Sequence, residues 1–170
     1  MNASARLVTE LSDRLRRDRR RGVDLRTGIL PTEWKAGPAA LQDLFRAGRT
    51  DIALHFGVAA DATGFRLETL AENDRNRLPD ACGHVPRRRR ISAAAPDSLI
   101  STFPVEAIRQ RLERAGVKVE ISAGAGRYLC NAALFRSLSL ASKGRGSSVV
   151  GFVHIPAALG DDQAASSLQD

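Results

Sequence analysis

Two cysteines, one methionine, one tryptophan and one tyrosine are all that this 170-residue chain holds of those residue types, and lysine is confined to Lys35, Lys118 and Lys143. Cys82 and Cys130 stand far apart and make no C-x-x-C pair, so the expectation is two free thiols rather than a disulfide scaffold or a zinc module. Aromatic residues make up only 5% of the chain, too few to interleave with arginines as a stacking groove for single-stranded nucleic acid requires. No apolar run approaches the ~20 residues needed to cross a bilayer. Residues 1–10 lack the apolar stretch and small-residue cleavage site of a secretory leader. The compartment expected from these absences is the cytoplasm, with no membrane partner.

Arginine is abundant. The formal net charge is +7, and two runs carry much of it, RLRRDRRR at 14–21 and four arginines at 87–90. A basic balance is one mark of nucleic-acid binding. Here it accompanies a general excess of arginine and alanine, with no helix-turn-helix, zinc-finger or RNP pattern. It therefore reads as compositional bias, and no nucleic-acid partner is expected. The length and the 43% hydrophobic content suit one domain over residues 1–170 with a core of its own.

The hydrophobic pattern switches between helical and strand periods. Leu7, Leu11 and Leu15 recur every four residues within a helix predicted over 3–21. Residues 23–30 read as a strand ending at Pro31, and 39–47 as a short helix after Pro38. Residues 51–57 (DIALHFG) read as a buried strand, and 59–102 as mostly irregular chain. A helix follows over 104–115, then a strand over 117–122, a glycine-bearing loop over 123–127 and a helix over 129–140. An apolar strand spans 147–155 up to Pro156, and 160–170 reads as a frayed tail. Strands alternating with helices predict an α/β fold, a mostly parallel sheet with helices on both faces.

Two segments bring chemistry to strand and helix ends. In ISAGAGRYLCN (121–131) a strand ends, glycines turn the chain, and Cys130 opens a helix, where unpaired backbone N–H groups favour a thiolate and offer donors to an oxyanion. Taken alone, an inert cysteine fits the same segment at least as well. In VVGFVHIP (149–156) an apolar strand delivers His154 near its carboxyl end, a position suited to a general base and equally to a satisfied structural histidine. His55 lies inside a strand. His84 follows Cys82 as a lone C-x-H, which lacks the further ligands a metal requires, so no metal site is expected. A cysteine–histidine pair works best with a third group to orient the imidazole, and the composition offers many carboxylates without choosing one.

AGAGRYLCN followed by GFVHIP resembles the active-site pair of the pyroglutamyl peptidase I family, cysteine peptidases of family C15 that remove an N-terminal 5-oxoproline. A third block, GFRLETLAENDRNRLPD at 64–80, is similar to the family's I-T-x-E-R-x-A-x-N…D-x-R-x-P-D. The resemblance runs colinearly from about residue 2 to 159. It implies a three-layer α/β/α sandwich of the phosphorylase/hydrolase type, with Cys130 as nucleophile, His154 as its base and Glu68 orienting His154. It further implies Arg77 near the reacting carbonyl, despite one deletion between Glu68 and Arg77, and Tyr128 and Leu129 lining the pocket. The implied partners are peptides carrying N-terminal pyroglutamate, with no cofactor, and with a homo-oligomer by analogy.

The sequence also departs from the family pattern. Family members begin with a strand and a T-G-F-x-P-F-G loop before an N-x-S segment, and Asn2, Ala3 and Ser4 correspond to that segment. The resemblance thus implies that the first strand and its phenylalanine-rich loop are missing. The family's G-Q-A turn reads Gly57, Val58, Ala59, and valine lacks the amide that hydrogen-bonds a lactam. The final helix is shortened to 163–170. A second reading, a shortened relative that binds without turnover, fits these departures.

Overall fold

The first helix, α1 (Ala3–Arg17), buries Ala5, Leu7 and Ser12, while Arg14, Arg16 and Arg17 crowd its last turn, where cations complement the helix dipole. The computed structural model describes residues 3–17, 22–144 and 146–157. The end of the predicted first helix and the predicted 160–170 tail lie outside the described residues. A second helix, α2 (Ala36–Arg46), begins three residues earlier than predicted, with Pro38 inside its first turn; proline is tolerated there because first-turn N–H groups have no helical partner. Gly37 is held to glycine by close approach, since a Cβ would sit 2.7 Å from the Pro31 carbonyl oxygen.

The remaining elements are β1 (Ile52–Ala59), β2 (Phe65–Glu68), β3 (Leu70–Glu72), β4 (Ser98–Ile100), α3 (Val105–Arg114), β5 (Val119–Ser122), α4 (Leu129–Ala141) and β6 (Val149–Pro156). Residues 23–30, predicted as a strand, form none. Val23 and Ile29 are 60% and 59% exposed, so the alternation there has no sheet to face. The span 59–102, predicted as irregular, contains β2, β3 and β4. These strands are three or four residues long, too short for periodicity to reveal.

The main sheet has the order β1-β6-β2-β5, and β3 pairs with β4 separately. β1 runs parallel to β6, and β2 runs parallel to β5. β2 meets β6 antiparallel, with Leu67 opposite Val153 and Glu68 opposite Phe152. The sheet is thus two parallel pairs joined along an antiparallel seam. Where β2 stops, the chain before α3 takes over the edge of β6: Ser101 Oγ donates to the Val150 carbonyl, and the Val150 N–H donates to Thr102 Oγ1.

Helices cover both faces. Alternate residues of β6 point opposite ways. Val150 and Phe152 pack with Leu134, Phe135 and Leu138 of α4, whereas Val153 and Ile155 pack with Leu67, Leu7 of α1 and Ile108 of α3. α2 packs on α4 from outside, which explains why α4 buries residues around most of its circumference rather than along one stripe. The predicted three-layer α/β/α arrangement is the observed one. No helix of the described residues is long and apolar enough to cross a membrane.

Candidate active site

The seam decides where the site forms. Glu68 is the last residue of β2 and His154 lies two positions beyond its cross-strand partner Phe152, so both side chains emerge on the face covered by α4. The sheet is mixed, and the groups gather over this face rather than at one carboxyl edge. Glu68 is 1% exposed and His154 8% exposed. Glu68 Oε1 lies 2.8 Å from His154 Nδ1. With the Nδ1 proton donated to that carboxylate, Nε2 of the ring is left for a reacting partner.

The candidate partner is Cys130, the second residue of α4, which acts on the His154 ring to raise its pKa. Burial on its own would lower the His154 pKa; the interaction with Cys130, and the hydrogen bond and charge of Glu68, outweigh it and push the value up to about 9. The arrangement therefore favours imidazolium at neutral pH. The turn before α4 uses Gly126 at φ 74°, a left-handed conformation open to glycine. Tyr128 then caps α4 in an extended conformation, and the first helical bond runs from the Ala132 N–H to the Tyr128 carbonyl. The N–H groups of Leu129, Cys130 and Asn131 precede that bond and have no acceptor within the helix.

Three residues to which sequence reasoning gave no role in the site hold this geometry. Asn131 is fully buried: its Oδ1 accepts from the Glu72 N–H at 2.8 Å, and its Nδ2 donates to the Glu72 and Asp74 carbonyls, each at 2.9 Å. It fastens the start of α4 to β3. Gly57 forms the floor, because a Cβ there would lie 2.9 Å from Cys130 Sγ and 2.8 Å from the Phe152 ring. A glycine inside an apolar strand is the sequence signal for such an approach. Trp34 meets Tyr128 edge-on, with ring centroids 5.1 Å apart. Its backbone N–H donates to Asp80 and its indole N–H to the Leu78 carbonyl.

The structure places the remaining predicted residues at the rim. Tyr128 is half-buried and its hydroxyl donates to the Pro79 carbonyl at 2.9 Å; burial, then the charges of Asp80 and Cys130, raise its pKa. Leu129 is half-buried beside Cys130 as the first residue of α4. Arg77 is exposed, and no hydrogen bond or ion pair among the described residues fixes its side chain. Its neighbour Asn76 donates from its N–H to the Arg127 carbonyl, which ties the Arg77 loop to the turn before Cys130. His55 stacks on Phe152 and bonds Ser137 Oγ at 2.9 Å. Burial lowers its pKa to about 4, so it is neutral and structural. No group of three or more His, Cys, Asp or Glu side chains among the described residues could hold a metal ion.

A buried carboxylate and an imidazole, with a thiol at a helix start beside them, lie over the mixed sheet of an α/β protein. The profile of the family described as "Pyroglutamyl peptidase" matches residues 1–166, and the chain belongs to that family. It is 30% identical over 129 residues to the pyrrolidone-carboxylate peptidase of Pyrococcus furiosus, covering 75% of this chain and 62% of the relative. It is 32% identical over 130 residues to that of Thermococcus litoralis, covering 75% and 59%. Among solved structures, the pyrrolidone carboxyl peptidase of Fervidobacterium islandicum superposes with a TM-score of 0.83 at 29% identity, covering 92% of this chain and 74% of the other. The chain thus spans about 62% of the length of the Pyrococcus relative.

Proposed function

We propose that the chain is a cysteine exopeptidase that hydrolyses the bond after an N-terminal 5-oxoproline, with Cys130, His154 and Glu68 as its catalytic residues. The observation that carries this reading is the buried Glu68–His154 pair, with Cys130 acting on the same imidazole, in a chain of the pyroglutamyl peptidase family. The Cys130 thiolate attacks the oxoproline carbonyl carbon and forms a tetrahedral oxyanion. The free N–H groups at the α4 start stabilise that charge, with Arg77 swinging in from the adjoining loop. His154 gives its proton to the departing amine, which breaks the amide and leaves a thioester. His154 then takes a proton from water, hydroxide adds to the thioester, and the acid leaves as the thiol re-forms. Tyr128 and Leu129 flank the nucleophile and line the lactam pocket. The scheme uses no metal or organic cofactor, and its substrates are peptides with an N-terminal pyroglutamyl residue.

The test is release of a fluorescent amine from a pyroglutamyl amide, by the chain and by Cys130→Ala. Turnover that falls at least ~10³-fold in the variant supports the reading. A folded protein without turnover, or turnover that survives the substitution, overturns it.

A further inference from the structure

Two half-buried arginines outside the triad, Arg75 and Arg136, enter no ion pair among the described residues. Arg136 lies on α4 six residues beyond Cys130, about 9 Å along the helix axis. Its Nε is buried and has no hydrogen-bond partner, and no ion pair of the described residues involves its guanidinium. Burial, and then the charge of Arg75, lower its pKa. Arg75 is also half-buried, and burial lowers its pKa too. Its guanidinium carbon stands 5.8 Å from the Trp34 ring centroid, and its Nε donates to the Arg88 carbonyl.

The carboxylates nearest in sequence are engaged elsewhere. Asp74 pairs with Arg89 and Arg127. Asp80 accepts from the backbone N–H groups of Trp34, Cys82 and His84. Two like charges that are drawn partly out of water and repel each other, neither in an ion pair among the described residues, destabilise the fold unless something neutralises them. Guanidinium forks match planar carboxylates and tetrahedral phosphates. We propose that Arg75 and Arg136, backed by Trp34, form a binding site for a small oxyanion of the carboxylate or phosphate kind.

The site adjoins the proposed catalytic centre without being part of it. The Asp74 carbonyl, just before Arg75, accepts from Asn131, just after Cys130. The Asn76 N–H, just after Arg75, donates to the Arg127 carbonyl. An anion held here therefore braces the turn that presents the thiol.

The test needs no turnover, so its outcome is independent of the peptidase reading. Thermal unfolding of the full chain is followed against sodium phosphate and, separately, sodium acetate, with sodium chloride keeping ionic strength constant. Saturable stabilisation is expected, with the midpoint rising roughly 3–6 °C at ten times Kd. Phosphate acting alone identifies a phosphate site, and acetate acting equally identifies a carboxylate site. Arg136→Met is expected to abolish the response while raising the midpoint in chloride alone, because it removes an unpaired charge. Arg114→Gln, on the exposed end of α3, is expected to keep the response. A non-saturable response, or one unchanged in Arg136→Met and in Arg75→Gln, overturns the proposal.

Discussion

His154 carries two opposing influences, and their balance sets a measurable pH dependence. Its pKa of about 9 stands above the ordinary 6.5 because the interactions with Cys130 and Glu68 outweigh burial. A folded-state value above the unfolded one adds stability that is complete below pH 6.5 and is lost as pH rises through about 9. In the proposed reaction the same proton is delivered to the leaving amine, so kcat/KM is expected to fall above pH ~9. Glu68→Gln removes the charge that sustains the imidazolium. It is expected to move this alkaline limb down by about one unit or more and to slow turnover roughly 10²–10⁴-fold. A pH–rate profile of the two proteins checks both. A limb unmoved in Glu68→Gln would show that Glu68 does not tune His154.

At the scale of elements, the decisive joint is between α4 and β3, and it rests on Asn131. Replacing it by alanine strands the Glu72 N–H and the Glu72 and Asp74 carbonyls, which it now satisfies. A loss of about 2–4 kcal/mol is expected by urea denaturation, together with slower alkylation of Cys130 as the helix start loosens. Asn131→Asp keeps the acceptor but turns a carboxylate toward two carbonyls, so it is expected to be no better than alanine. A cost under about 1 kcal/mol would mean that the joint is held by something else. This joint also marks where sequence reading stops. α3, α4 and β6 were legible because each carries several periods of its own pattern, and the four-residue β5 because the alternation in the sequence begins two residues before it, at Val117. So were Cys130 and His154, which stand at the start of one such element and near the end of another. β2 was not: four residues, Phe65–Glu68, owe their strand to neighbours some fifty and ninety positions away. Glu68 therefore entered only through family resemblance, one carboxylate among 19 acidic residues. Asn131 acts through partners equally remote in sequence and no local pattern announces it, whereas Gly57 leaves only the mark of a glycine inside an apolar strand.

The two faces of the sheet are finished to different degrees across the whole molecule. On the α4 face, Leu134, Phe135 and Val150 are fully buried against one another, a packing that fixes the triad. On the opposite face, α1 and α3 leave an apolar cavity of about 200 Å³ bordered by Leu7, Leu54, Phe56, Phe103 and Ile108. A cavity of this size forfeits dispersion contacts on every wall. Leu7, buried from α1 onto Leu67, Val153 and Ile155, is thus a main anchor of the first helix yet borders empty space. Leu7→Ala is expected to cost about 2 kcal/mol, the low end for a buried leucine, because part of its surroundings is already void. Leu7→Phe extends into the cavity and is expected to hold or raise the urea midpoint. Neither change touches the α4 face, so the rate of Cys130 alkylation is expected to stay within about two-fold in both. Unfolding curves and alkylation rates of the three proteins decide the matter. If Leu7→Ala costs under ~0.5 kcal/mol, α1 is not docked on the sheet. If it slows or quickens Cys130 instead, the two faces are coupled through β6, whose alternate residues serve both.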